Sequence, residues 1–479
     1  MSSAPQMPEL PPELAAAVQR AAMPDFPRWH EMIKSTGGCE QPVRLRGERI
    51  TLDGETGELI EAYSTDDEPT GFLITACGNR RASRCTACAE VYRDDTYHLI
   101  ISGLTGGKGV PEEVSGHPCV FLTLTAPSFG AVHAHREKAG KPQPCRPRRD
   151  NPTCPHGRPE GCRARHKPDD PQTGQPICRD CYDYPAAVLW NARAPELWRR
   201  LTLTVPRLIT AELGITHKAL REQARLSYAR VIEYQRRGLI HFHAVVRLDG
   251  PDGPDQPPPA WATTELLERT LRTAAAQVEV SAPGGDEGSP PLVLRWGRQL
   301  NTQPIQVAAE LDGIADKHVA RYIAKYATKG AEDSGTVDRP IRYSTQINAL
   351  KVSEHARRMI WTCFTLADLR EYHDLRLRNW AHMLGYGGHF SSKSRRYSVT
   401  LTELRQTRAD HAAQAARHAE GLPEPDPNRD TVTTGQWKYL GSGLMHGEHF
   451  WAEQARNRVQ QARTVRNQLT ERDEERKAS

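Results

Sequence analysis

An α+β fold organised around a central antiparallel sheet is the class this sequence predicts, and three patterns predict it. Short apolar or alternating runs bounded by turn residues read as strands, above all at residues 120–125 and on both sides of Arg236-Arg237-Gly238. Longer stretches with helical periodicity, such as 186–213 and 316–328, are interspersed with them. The tight turn at Gly238 makes its two flanking strands antiparallel neighbours, because a parallel pair needs a long crossover.

The elements follow in order. Residues 1–35 are a Pro/Ala-rich lead with one short amphipathic helix. Residues 36–110 form an N-terminal zinc-linked, β-rich unit, with turns and short strands alternating over 40–74. The main sheet domain spans 117–335 and is interrupted at 141–184 by a cysteine-rich zinc insert. Helices at 186–213 and 218–226 lead into the hairpin. Pro/Gly/acidic stretches at 249–260 and 281–291 are loops, and 292–296 and 302–307 are two further strands. A helix at 316–328 carries two tyrosines. Residues 340–422 are a helical, basic region with helices at 353–379 and 401–420. In 423–479, a linker of alternating proline and acid precedes a strand or turn at 436–444. A charged helix at 452–477 ends the chain, as a solvated tail or a self-associating arm.

Composition limits the function classes. At 479 residues the chain is long enough for two or three domains, and its net charge of +5 says little by itself. No apolar run approaches twenty residues, and no basic region followed by an apolar core opens the chain. No membrane partner is expected, and the expected location is the cytoplasm. There the eleven cysteines stay reduced, which favours metal sites over disulfides. Gly106-Gly-Lys108 lacks the spacing of a nucleotide-binding phosphate loop, so no ATPase or helicase activity is expected of this chain.

The hairpin carries the chemistry. His241 and His243 are separated by one residue, so both project from one face of the strand, where two imidazoles can share a metal ion. A three-residue turn at Arg236-Arg237-Gly238 pairs Gln235 with Leu239 and Glu233 with His241, adding a carboxylate to that face. A two-residue turn would flip Glu233 away. Downstream, Tyr322 and Tyr326 are neighbours on one helical face, and Lys325 and Lys329 repeat the spacing on the adjacent stripe. A phenol is a poor nucleophile unless a cation stabilises its phenolate, and a divalent ion or an ammonium does so. Paired imidazoles with a metal and a helical phenol form a constellation that can cut DNA by covalent catalysis; oxygen-rich sites favour Mg²⁺ and imidazoles tilt toward Mn²⁺, which leaves the ion open.

Two cysteine groups suit structural Zn²⁺. Cys39, Cys77, Cys85 and Cys88 make a four-thiol set around a Cys-x2-Cys pair. The insert offers Cys154, Cys162, Cys178 and Cys181, with Cys145, His156 and His166 able to replace a member or add a second ion. Such a Pro/Gly/Arg-rich segment cannot build an apolar core and needs a metal to fold. Arg378, Lys393, Arg395, Arg396 and Tyr397, interleaved with Tyr386, His389 and Phe390, suit a path for single-stranded DNA.

These motifs resemble the rolling-circle replication initiators of the HUH endonuclease superfamily, and most closely the RepSA-type initiators of actinomycete plasmids and integrative elements. Three ordered motifs carry the likeness: the strand and turn at 120–128, the His241-Phe-His243 hairpin, and Tyr322-Ile-Ala-Lys-Tyr326-Ala-Thr-Lys329. It takes in the cysteine-rich segments and the stretch 385–397, and so covers most of residues 36–400. The resemblance implies an HUH-type central sheet containing the histidine strand, with the tyrosine helix packed nearby. It implies an origin-specific nick through a 5′-phosphotyrosine, a 3′ hydroxyl that primes synthesis, and a second transfer that closes the displaced circle. Relatives with an Ala-Lys-Tyr-x-x-Lys motif attack with the tyrosine after the lysine, which carries over to Tyr326. Some have glutamate four residues earlier for water-mediated termination. Tyr322 stands there instead, which implies two alternating tyrosines. Other branches use the first tyrosine of the motif, here Tyr322. The implied partners are plasmid origin DNA, as a single strand or a hairpin nick site, with host helicase and replication proteins. The rival readings are an HUH transposase or relaxase with the same chemistry, and a non-catalytic, zinc-stabilised DNA-binding regulator.

Overall fold

The structure is a computed structural model that describes residues 10–284, 291–305, 314–327, 336–337, 339–419, 421 and 430–478, with side chains except at 314–318, 326–327, 416, 419 and 466–478. It is a mixed α+β protein whose sheets are all antiparallel among the described residues. The chain divides into two units, Met1–Asp94 with Arg405–Ser479, and Asp95–Leu404.

The first unit opens with two helices, where one was expected: α1 (Pro12–Ala21) and α2 (Phe26–Ser35), both with proline in the first turn. Strands β1 (Val43–Asp53), β2 (Leu59–Ser64) and β3 (Leu73–Thr75) follow, and then α3 (Thr86–Thr105), a helix that the turn-and-strand reading of 36–110 did not include. The second unit begins its sheet with β4 (Cys119–Thr125), followed by a two-residue ribbon, β5 (Glu137–Lys138) and β6 (Lys141–Pro142). Next come α4 (Tyr184–Leu213), α5 (His217–Gln223), the hairpin β7 (Arg225–Tyr234) and β8 (Ile240–Asp249), then α6 (Thr264–Gln277). The helix expected to reach residue 226 stops at Gln223, because Arg225 already pairs with Asp249 in the hairpin. Strands β9 (Glu279–Ala282), β10 (Leu292–Arg295) and β11 (Leu300–Pro304) lead to α7 (Ile314–Ala327), α8 (Glu354–Ala367) and β12 (Ser391–Lys393). The single helix expected over 353–379 breaks after α8 into short 3₁₀ turns. Finally α9 (Leu401–Ala419) passes back to the first unit, which ends in β13 (Thr431–Ser442) and α10 (Glu448–Ala478). The expected linker at 423–430 lies almost wholly outside the described residues.

In the first unit the sheet order is β13-β1-β2, with β3 beside β1. Every residue of β1 pairs with β13, from Val43↔Ser442 to Asp53↔Thr431, with one register shift between Arg44 and Leu45. Trp29, Met32 and Ile33 of α2 and Ala452 and Ala455 of α10 bury a small apolar core against Ile74.

The second unit holds a five-stranded sheet, β11-β4-β8-β7-β12. Strand β8 is central and covered on both sides. Its even-numbered residues Phe242, Ala244, Val246 and Leu248 join the apolar core with Trp190, Trp198 and Leu201 of α4 and Leu267 and Leu271 of α6. The odd-numbered residues, His241, His243, Arg247 and Asp249, are all on the other face. At its far end Arg247 and Asp249 are both fully buried. Arg247 donates to Asp249 at 2.5 and 2.9 Å, and His117 Nδ1 lies 2.9 Å from the same carboxylate. Burial alone would raise the Asp249 pKa, but its bonds to His117 and Arg247 outweigh that and hold it below the ordinary carboxylate range.

The hairpin turn is fixed from both sides. Gln235 and Leu239 are joined by a backbone hydrogen bond of 2.8 Å, and buried Asn191 of α4 donates to the carbonyls of Gly238 and Leu384 while accepting from Ile240 N–H. Gly238 has φ +73°, and a Cβ there would come within 2.6 Å of Met359 Sδ. Gly238→Ala is therefore expected to cost more than about 1 kcal/mol, read as a lowered urea midpoint.

Candidate functional site

Strand alternation and hairpin register bring three metal-competent donors together. Glu233 sits opposite His241, and ligand atoms of Glu233, His241 and His243 lie within 4.8 Å of one another. Glu233 Oε1 is 3.4 Å from His243 Nε2, and the two imidazole centroids are 4.6 Å apart. Burial, reinforced by His243 and Arg237, lowers the His241 pKa to about 3. Its ring is therefore neutral at pH 7, the form that ligates a metal.

Strand β4 orients both rings. Thr123 faces His243 and Thr125 faces His241 in the ladder. Thr123 Oγ1 lies 3.3 Å from His243 Nδ1, and Thr125 Oγ1 lies 3.1 Å from His241 Nδ1. A hydroxyl at each Nδ1 turns Nε2 toward the carboxylate side. Sequence reasoning passed over these threonines; the signal was the Thr-x-Thr spacing in β4, which matches His-x-His.

Helix α7 packs against β7 and adds a phenol. Tyr322 Oη is 3.4 Å from His243 Nε2, and its ring stands edge-on to His243 at 5.0 Å and to Phe121 at 5.9 Å. Phe121 in turn lies parallel to His243 at 5.9 Å. Lys325, one turn on, is exposed. Tyr326 closes the same helix, but its side chain, like Lys329, lies outside the described residues. A cleft of about 800 Å³ opens at the hairpin turn, between Ala126 and Pro127, the hairpin residues Gln235 to Arg237, Gly297 to Gln299, and part of the cysteine-rich insert.

The cysteines assemble as follows. Cys39, Cys77, Cys85 and Cys88 converge in the first unit, with sulfur–sulfur separations of 3.6, 3.6 and 3.7 Å. A tetrahedral zinc with bonds near 2.3 Å would set them about 3.8 Å apart. Amide N–H groups of Glu40, Cys77, Asn79 and Cys88 point at these sulfurs, as suits thiolates. The quartet expected in the insert forms differently. Cys154 gathers with His156, Cys178 and Cys181, while Cys162 lies in another group with His133, Cys145 and His166. The reason is a backbone bridge between Arg146 and Cys162, which carries Cys162 away from Cys154.

Three aromatic side chains of the expected single-strand path, Tyr386, Phe390 and Tyr397, are buried. Tyr397 is fully buried, donates to Ile100 O at 3.1 Å and lies under the Arg247 guanidinium. Tyr386 and Phe390 are buried too, so none of the three offers a face to a base. Arg378 pairs with Asp368, Arg396 with Asp252, and Lys393 donates to Ser398 O at 2.6 Å. Arg395 is exposed.

Two imidazoles of β8 and a carboxylate of β7 thus form a group able to hold a metal ion, beside a helical phenol. The chain belongs to the RepSA family, described as replication initiator protein, pSAM2, which matches residues 25–457. It is 44% identical over 469 residues to a replication initiator protein of Streptomyces ambofaciens, covering 96% of this chain and 97% of the relative. No solved structure matches. Among the described residues no helix is long and apolar enough to cross a membrane.

Proposed function

We propose that this protein initiates plasmid replication by an origin-specific, metal-dependent nick in one DNA strand, with a 5′-phosphotyrosine intermediate. The initiator role rests on the family and on the relative's name. The nicking chemistry rests on one observation: the Tyr322 hydroxyl lies 3.4 Å from His243 Nε2, beside Glu233 and His241. Tyr322 gives its proton to water and its oxygen attacks the scissile phosphorus. The bond from phosphorus to the 3′ oxygen breaks, that oxygen takes up a proton, and the 5′ phosphate stays on the tyrosine. A divalent ion held by Glu233, His241 and His243, Mg²⁺ or Mn²⁺ with the imidazoles favouring Mn²⁺, supplies polarisation of the phosphate and lowers the cost of phenolate formation. Lys325 and Lys329 offset phosphate charge, and Tyr326 serves the second transfer. This exchanges the two tyrosine roles that the sequence motif alone implies.

Thr123 and Thr125 hold the rings that hold the ion. Thr125→Val keeps the shape and deletes the hydroxyl, and is expected to weaken Mn²⁺ affinity about 10-fold by calorimetric titration. The Cys39, Cys77, Cys85, Cys88 group and the Cys154, His156, Cys178, Cys181 group take structural Zn²⁺. The partners are origin DNA, with host helicase and replication proteins downstream.

Wild-type protein incubated with a single-stranded origin oligonucleotide and Mn²⁺ should give a covalent adduct stable in denaturant. EDTA should abolish it, as should the Tyr322→Phe, Tyr326→Phe double variant. Origin binding without adduct at any ion concentration would favour a non-catalytic regulator.

A further inference from the structure

The insert, with His133 from the segment leading into it, contains a further set of donors that the nicking chemistry does not use. His133, Cys145, Cys162 and His166 bring one ligand atom each within 4.8 Å of one another. His133 Nδ1 is 3.1 Å from His166 Nε2, Cys162 Sγ is 3.4 Å from that same Nε2, and Cys145 Sγ is 4.0 Å from His133 Nδ1. Tetrahedral zinc, with bonds of about 2.0–2.1 Å to nitrogen and about 2.3 Å to sulfur, separates its ligands by about 3.3–3.8 Å. The measured spacings straddle that range.

Two further features point the same way. His166 Nδ1 lies 2.7 Å from Asp170 Oδ2, leaving Nε2 with its lone pair turned into the group. A carboxylate behind the histidine is the usual support of a metal-ligating imidazole. Ala134 N–H donates to Cys145 Sγ at 3.2 Å, which suits a thiolate. Cys145 and His166 are only 3% and 2% exposed, and His133 and Cys162 are half-buried. A hydrogen-bonded imidazole pair alone would explain the 3.1 Å contact but not two thiols brought to the same point.

We infer that His133, Cys145, Cys162 and His166 bind a third structural zinc ion, which clamps the base of the insert to the hairpin turn that precedes His241. His133 exchanges backbone hydrogen bonds with Gly174 and Gln175, each 2.8 Å. Gly174 abuts Arg236 so closely that a Cβ on it would lie 2.5 Å from the Arg236 backbone. Arg236 Nη1 donates to Asp170 O at 3.2 Å, on the residue that supports His166. His133 and Gly174 also line the cleft at the hairpin turn together with Arg236 and Arg237.

The inference does not depend on strand transfer, and its test reads metal content. The full chain is made with His241→Ala and His243→Ala, so that the triad adds no ion, and compared with the same chain also carrying Cys145→Ser and Cys162→Ser. Native mass spectrometry should show three zinc ions in the first protein and two in the second. Zinc-edge X-ray absorption of the first should report three sulfurs for each nitrogen, against seven to one if this group is empty. Amide exchange at Gln235 and Gly238 should be faster in the second protein. Equal zinc content in the two proteins, or the seven-to-one ratio, overturns the site; unchanged exchange at the turn overturns the clamp.

Discussion

Tyr322→Phe is expected to reduce formation of the covalent protein–DNA product by at least about 10³-fold, because it deletes the oxygen that attacks in the proposed mechanism and nothing else. The phenyl ring keeps its edge contacts to His243 and Phe121, so folding and DNA binding should be preserved. The measurement is a denaturing gel of end-labelled origin oligonucleotide with Mn²⁺, beside a binding titration. Tyr326→Phe should still cut once and fail in the second transfer. The reverse pattern, a wild-type adduct in Tyr322→Phe and none in Tyr326→Phe, would give the first cut to Tyr326. The initiator role would survive that result, but the reading of Tyr322 as first nucleophile would not.

Asp249→Ala should cost about 3–5 kcal/mol, the largest stability effect expected in the second unit. The substitution leaves a fully buried guanidinium without its carboxylate, and His117 without its partner. Urea unfolding of the full chain should show the loss, with a cost below about 1 kcal/mol refuting the role given to this pair. The pH dependence has a definite sign. Asp249 has a lower pKa folded than unfolded, so its contribution is complete above about pH 4 and fades as pH falls through the folded value. The wild-type advantage over Asp249→Ala should therefore shrink below about pH 4.

The hairpin was the most legible part of the chain. Its alternation, its glycine and its three-residue turn are all local, and they are sufficient to set Glu233 opposite His241. The Cys-x2-Cys pairs were visible for the same reason. Which thiols share a centre was not, because that depends on the Arg146–Cys162 bridge and on His133, which precedes the cysteine-rich stretch. Tyr397 shows another limit. Charge density around it marks a surface segment, but only the packing of Arg247 and Ile100 reveals that its ring turns inward. Helices α3 and α6 went unread because the cysteines at 85 and 88 and the prolines at 257–259 dominate the reading where they begin. The partner of β1 could not be read at all, since nothing near residue 43 announces a strand beginning at residue 431.

That last pairing affects the order in which the protein is made. A ribosome releases β1 long before β13, so the nascent sheet keeps one edge of β1 unpaired while the whole second unit is made. The segment bearing His241 and Tyr322 emerges in between and can fold during that interval. A transcript truncated before codon 431 would thus yield a polypeptide that has its histidines and tyrosines but carries an open, adhesive strand, and pulldown of such fragments should show chaperone association that the finished chain lacks.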